Sequence, residues 1–275
     1  MKTVDFFGHI VTRLIVGGNP FAGFSYVSNI SRDEMMDYYT AENMLSCLRR
    51  AEELGYTAFI ATTDSFTNRT YRQYRNKGGK LKWIAQTYIP HNMQVNVNIA
   101  IESGAIAIFQ QGTEGDGYFE TGQLDALRAN ITEMRRAGIP VGLATHVPAF
   151  MELAEQELDY DFYMACVHNM RRDNEGRVSS SISGKKNESH TFVYEDRAEM
   201  FKAIRAVDKP CIAYKILAGG NYANTEEDLL RCLVETYQNI KPTDTATIGV
   251  FQRDRDELTI NARVLDEALA RINHK

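Results

Sequence analysis

The sequence predicts an α/β chain closed into a single (β/α)8 TIM barrel, and three observations carry that prediction. Short runs rich in β-branched and apolar residues alternate with amphipathic stretches, the pattern of repeated β-α units around a parallel sheet. Eight such units follow one another along the 275 residues, and strict alternation fits a closed barrel better than a doubly wound open sheet. Barrels of this kind use about 200 to 250 residues as one domain, so the length calls for no division, and no linker divides residues 1–275.

The strands are expected at Arg13–Gly18, Ala58–Thr62, Lys82–Thr87, Ala105–Gln110, Val141–Thr145, Asp161–Val167, Cys211–Leu217 and Thr245–Phe251. The helices between them are expected to begin near Ala41, Thr67, Asn92, Gly122, Pro148, Asp196, Thr225 and Arg255. In the first, Met44, Leu45, Leu48, Ala51 and Leu54 recur at three- and four-residue spacing, and Gly55 ends the run. Leu124, Leu127, Ile131 and Met134 repeat the pattern in the fourth, closed by Gly138 and Pro140. After the sixth strand, residues 169–191 (NMRRDNEGRVSSSISGKKNESHT) are poor in apolar side chains and rich in Ser, Gly, Asn and charge. A mobile segment is expected there on the face where barrels carry their chemistry, either as a plain insertion or as a lid.

Composition narrows the function classes. Thirty-one Lys and Arg against 36 Asp and Glu give a net charge of -5 without clustered tails, so no face for a phosphate backbone is expected. No run of apolar residues is long enough for a membrane span and no secretory signal is visible. Cys47, Cys166, Cys211 and Cys232 each sit in an apolar run, which reads as buried, reduced thiols and points to the cytoplasm. The four Asn-x-Ser/Thr sequons would matter only in a secreted chain. The expected partner is a small-molecule substrate, with neither nucleic acid nor membrane, and the sequence carries no sign of an oligomeric state.

Several segments, taken in order, resemble the aldo-keto reductase superfamily: TVDFFGHIVTRLIVGGNPFAG, EELGYTAFIATTDSF, IPVGLATHVPAFMELAEQ with LDYDFYMACVHN, and KPCIAYKILAGG with TATIGVF and Asn261. The resemblance covers nearly the whole chain and implies an N-terminal β-hairpin plugging the barrel bottom. It also implies carbonyl reduction with a nicotinamide cofactor by a Tyr, Lys, Asp and His tetrad. On this chain the Asp position falls on Ala61, the Tyr position on Phe66, the Lys position on Thr87 or Tyr88 and the His position on Gln110 or Gln111, so the tetrad reads as replaced. Gly219 and Gly220 precede a helix start in the region where the family holds cofactor phosphates, which makes them candidates for phosphate binding.

The strand ends supply other polar groups. Candidate catalytic residues are His146 and His168, closing adjacent strands, with Lys215 inside the apolar run CIAYKIL and Asp64 after the second strand. Candidate substrate-binding residues are Asn19, Gln86, Tyr88, Gln110 and Asn169, whose fixed hydrogen-bonding groups suit a hydroxylated ligand. By the two-residue period, Tyr214 is expected to point away from Lys215. The segment TEGDGYFETG reads as a loop, with Glu114, Asp116 and Glu120 mostly solvated. No metal ligand set is assigned, since HxH and HExxH spacings are lacking. NAD(P), or a divalent metal between the two histidines, is the cofactor to consider. The leading expectation is non-redox acid-base chemistry of lyase, epimerase or hydrolase type on a small sugar-like or carbonyl substrate. The alternatives are an NAD(P)H-dependent reductase with a displaced tetrad, using Tyr88 or His146, and a catalytically inactive ligand-binding barrel.

Overall fold

The structure, a computed structural model, describes residues 1–27, 29–168, 192, 194 and 196–273; the loop expected at 169–191 lies outside the described residues. Strands β1 (Thr3–Phe6) and β2 (His9–Thr12) pair as an antiparallel hairpin, with Phe6 opposite His9. Eight parallel strands then close into a TIM barrel: β3 (Leu14–Gly17), β4 (Ala58–Thr62), β5 (Lys82–Gln86), β6 (Ala107–Gln110), β7 (Val141–Thr145), β8 (Phe162–Cys166), β9 (Cys211–Tyr214) and β10 (Thr245–Gly249). The seam joins β10 to β3, with Ile248 beside Val16 and Gly249 beside Gly17. A Cβ on Gly17 would stand 2.8 Å from the Gly249 nitrogen, so the absence of a side chain lets the two backbones meet.

The helices are α1 (Arg32–Tyr38), α2 (Ala41–Glu53), α3 (Ser65–Asn76), α4 (Met93–Ser103), α5 (Gly112–Glu120), α6 (Leu124–Arg135), α7 (Pro148–Glu157), α8 (Asp196–Ala206), α9 (Glu226–Asn239) and α10 (Glu257–Asn273). Thr40, Asp64, Asn92 and Thr225 cap α2, α3, α4 and α9 by accepting the N–H three residues on, which fixes where the βα loops end. Two helices depart from the sequence expectation. A capping box between Ser31 and Glu34 starts α1, and the segment read as a loop after the fourth barrel strand is helix α5, capped by the Gln111 side chain. Strand β9 also stops at Tyr214 rather than running to Leu217, because Lys215 turns out of the sheet with φ of 54°.

Inside the barrel, Ile15, Ile60, Ile84, Phe109, Phe162, Met164 and Ile212 form one apolar cluster, joined from the hairpin by Phe6 and Val11. The Phe6 ring meets Phe162 edge to face at 5.2 Å, so the hairpin plugs the amino-terminal end of the barrel. A second, larger core lies between the barrel and its helices. All four cysteines are buried and unpaired. No described helix is long and apolar enough to cross a membrane.

Removing the plug tests this division of labour. Phe6→Ala should cost about 3–5 kcal/mol, the usual figure for a buried Phe. Urea unfolding would show a lower midpoint with an unchanged slope, and an unshifted midpoint would mean that the hairpin lies loose on the barrel.

Candidate active site

The carboxyl ends of the strands surround a cavity of about 700 Å³, the size of a small-molecule site at the usual face of this fold. Its wall includes Asn19 after β3, Gln86 ending β5, Gln111 before α5, His146 after β7, and Tyr214 and Lys215 at the end of β9.

His146 is held from behind. Its Nδ1 lies 2.8 Å from Asp116 Oδ2, and its backbone N–H donates to the same oxygen at 3.2 Å. The Thr145 hydroxyl donates to Asp116 Oδ1 at 2.6 Å. The Asp116 side chain is wholly buried, so these donors take the place of water around its carboxylate. The sequence reading had this residue solvated on a loop. It is instead on the inner face of α5, which packs against β7 because its contact positions are glycines. A Cβ on Gly112 would come within 3.2 Å of His146 Cε1, and one on Gly115 within 3.1 Å of Leu143 Cδ1. The signal in the sequence was the spacing Gly112, Gly115, Asp116, which a tight helix-on-strand contact requires.

The other face of the His146 ring looks toward the cavity. Lys215 Nζ lies 3.0 Å from His146 Nε2, and the Tyr214 hydroxyl lies 3.2 Å from the same atom. With Nδ1–H donated to Asp116, Nε2 presents its single lone pair to Lys215, and the Tyr214 O–H lies between that nitrogen and the Thr145 carbonyl oxygen at 3.3 Å. Desolvation of the phenol, with Cys166, Asp116 and Tyr26 nearby, raises Tyr214 well above its usual range, so it stays a proton donor. The expectation that Tyr214 points away from Lys215 is corrected. The left-handed backbone at Lys215 breaks the strand alternation and lets neighbouring side chains reach one imidazole. Lys215 Nζ also lies over the Tyr26 ring at 4.7 Å and toward the Tyr214 ring at 5.8 Å, and among the described residues no carboxylate pairs with it.

His168 is placed differently from His146. Its Nδ1 lies 2.7 Å from the Lys215 carbonyl oxygen, so the two histidines hold opposite ends of Lys215 rather than converging on one atom. The ring packs against Phe192, Tyr194 and Tyr222, is 1% exposed, and leaves Nε2 buried with no hydrogen-bond partner among the described residues. This desolvation, aided by the charge of Arg197, lowers its pKa from 6.5 to about 4 despite the Lys215 hydrogen bond.

Asn19 and Gln86 line the cavity, whereas Asp64, Tyr88 and Gln110 do not. Asp64 caps α3 through Thr67 and takes the Thr62 hydroxyl at 2.6 Å. The Tyr88 ring stands edge-on to His91, and Gln110 is buried between Tyr160 and Glu114. Asn169 lies outside the described residues. Gly219 and Gly220 do border the cavity. The Gly220 N–H donates to Leu217 O, and a Cβ on Gly219 would strike the Tyr26 side chain at 2.4 Å. Close packing of the segment around Tyr26 thus accounts for Gly219. The N-terminus of α9 beyond is already filled by the Thr225 and Asp228 capping box. Of the tetrad positions, Ala61, Phe66, Thr87, Tyr88 and Gln110 stand off the cavity and only Gln111 borders it. Among the described residues, no cluster of three or more His, Cys, Asp or Glu side chains is arranged to hold a metal.

No family model matches the chain, and no curated protein sequence does. Solved structures resemble it in fold. An aldo-keto reductase from Bacillus halodurans, in its holo form, superposes with a TM-score of 0.59 at 11% identity, over 97% of this chain and 91% of that one. A truncated 3-deoxy-D-arabino-heptulosonate 7-phosphate synthase from Thermotoga maritima gives 0.57 at 9% identity, over 99% and 91%. The N-acetylmannosamine-6-phosphate 2-epimerase from Clostridium perfringens gives 0.50 at 13%, over 92% of each chain. These similarities show the TIM-barrel fold that the chain shares with aldo-keto reductases and with barrels of other chemistry.

The buried His168 makes stability depend on pH. The unfolded chain takes up a proton near pH 6.5, whereas the folded protein takes it up only near pH 4. Stability should therefore fall as the pH drops through that window, by at most about 1.4 kcal/mol per pH unit from this group. His168→Gln keeps an amide donor and removes the titration. Urea unfolding between pH 6.5 and 4.5 should show a shallower dependence in the variant, while equal slopes would mean that the native ring takes up protons freely.

Proposed function

We propose that this protein is an enzyme of non-redox acid-base chemistry, in which His146 moves a proton at the carbon next to the carbonyl of a small hydroxylated substrate. The observation that carries the reading is the chain Asp116, His146, Lys215, which runs from a fully buried carboxylate to an amine at the cavity wall. Asp116 fixes the tautomer and orientation of the imidazole and stabilises the imidazolium formed when Nε2 takes a proton. Lys215 supplies positive charge where an enolate oxygen develops, and the protonated Tyr214 supplies a hydroxyl donor beside it.

Substrate class follows from the rest of the wall. Asn19, Gln86, Gln111, Asn221, Asn224 and Asn261 all border the cavity, and carboxamides both donate to and accept from hydroxyl groups. The acidic side chains at the far rim are paired: Glu226 with Arg263, Asp254 with Arg253, and Glu257 with Arg255. A neutral, polyhydroxylated carbonyl compound matches this lining better than a phosphate ester does. Four unpaired, buried thiols favour the reducing cytoplasm as the place of work.

Proton transfer at carbon can be followed without knowing the natural product. Aldoses, ketoses and 2-keto sugar acids, incubated with the protein in D2O, should exchange the hydrogen next to the carbonyl for deuterium, as read by proton NMR. His146→Gln should slow that exchange by about 100- to 10,000-fold, the worth of one acid-base group. Undiminished exchange in the variant would overturn the assignment. Nicotinamide-dependent carbonyl reduction at ordinary turnover, with no exchange, would instead establish a reductase with a relocated tetrad.

A further inference from the structure

The acid-base reading leaves open whether Lys215 stays a hydrogen-bonding cation or bonds to the substrate. We propose that Lys215 is a nucleophile, and that its Nζ condenses with an unphosphorylated aldehyde or ketone to form an imine. This rests on the reading above and specifies how the carbonyl is activated. Three features of the site support it.

The first is the company that Nζ keeps. A lysine that serves only as a fixed positive charge is ordinarily held by a carboxylate, yet here its polar side-chain partner among the described residues is the His146 imidazole nitrogen Nε2 at 3.0 Å. Two aromatic faces, of Tyr26 and Tyr214, lie 4.7 and 5.8 Å from it. Such a setting places a base in direct hydrogen-bond contact with the ammonium, ready to receive its proton. Secondly, the relay has a sink. When His146 Nε2 takes the proton, the imidazolium is held at Nδ1 by the buried Asp116.

Thirdly, the backbone of Lys215 is fixed in a costly conformation. Its φ of 54° places a long side chain in the left-handed region, at a cost of about 1–3 kcal/mol, and such outliers persist where neighbours over-determine them. Two such neighbours hold it: the Lys215 carbonyl oxygen takes a hydrogen bond from His168 Nδ1–H at 2.7 Å and one from the Ala218 N–H at 2.9 Å. The result is an amine aimed into the cavity from a pinned Cα, which is what a nucleophile requires and a surface cation does not.

The steps balance. Lys215 ammonium gives one proton to His146, and the free amine attacks the carbonyl carbon as the C=O π pair moves to oxygen. The proton displaced from nitrogen passes to that oxygen and gives a neutral carbinolamine. His146 imidazolium then protonates the hydroxyl, which leaves as water while the nitrogen lone pair forms C=N. The sum is carbonyl plus ammonium giving protonated imine plus water, with the imidazole returned unchanged. The cationic imine then acidifies the neighbouring C–H for His146 to remove.

Borohydride trapping decides the matter. The intact protein is incubated with dihydroxyacetone, glyceraldehyde or pyruvate as probes, reduced with sodium borohydride, digested and read by mass spectrometry. In parallel, carbonyl-18O dihydroxyacetone is followed for loss of label to water, which imine formation requires. One reduced adduct should appear on the Lys215 peptide, with label loss, and both should fall at least about 100-fold in Lys215→Met and in His146→Gln. Deuterium exchange with retention of 18O and no Lys215 adduct would overturn the imine and leave the acid-base reading standing. An adduct at Lys215 without deuterium exchange would support the imine and overturn proton abstraction by His146. Adducts spread evenly over surface lysines, or none with any probe, would overturn the proposal.

Discussion

The site depends on one buried anion. Asp116 has no access to water, so its carboxylate must be satisfied by protein donors, and those donors are the Thr145 hydroxyl and the backbone and ring nitrogens of His146. That requirement sets the ring plane of His146, selects its tautomer and turns Nε2 toward the cavity. It also explains why α5 must lie so close to β7, and hence why glycines occupy positions 112 and 115. A substitution that pushed the helix away would strand the carboxylate and release the histidine together.

Lys215 is the second fixed point, and it is defined by geometry more than by charge. The strand ends one residue before it, its backbone turns left-handed, and its carbonyl oxygen is tied down by His168 while its amine meets His146. His168 thus ties down the Lys215 backbone: its ring touches backbone and aromatic packing and does not line the cavity. The two histidines differ accordingly. One is linked to a carboxylate and lines the cavity, whereas the other is walled in among aromatic rings, and its burial keeps it neutral down to about pH 4. At the far end of the barrel, Phe6 packs on Phe162 and joins the hairpin to the interior cluster, whose other end carries Tyr214.

Much of the architecture was legible in the sequence because hydrophobic periodicity reports it directly. The runs at Ala58–Thr62 and Val141–Thr145 are strands with the expected bounds, and Thr225 and Asn92 cap helices where turn chemistry placed them. The hairpin implied by the family resemblance is present. The misplacements share a physical reason. Alternation along a strand holds only while the backbone stays extended, so it failed at Lys215 and put Tyr214 on the wrong side. Composition treats Gly, Asp and Glu together as loop-like, so it missed that glycines in α5 serve close packing and that Asp116 points inward. His146 and Lys215 stood out as polar residues at strand ends. That a buried carboxylate and a phenol would complete their surroundings depends on contacts between elements far apart in the chain.

Asp116 is placed to order the His146 imidazole so that Nε2 is the basic atom facing Lys215. Nitrogen-15 NMR of protein labelled in its histidines, with the His146 resonances assigned by loss in His146→Gln, reads this directly. At neutral pH Nδ1 should be protonated and Nε2 unprotonated, with the order disturbed in Asp116→Asn. A neutral ring protonated at Nε2, leaving a bare Nδ1 against Asp116, would contradict it.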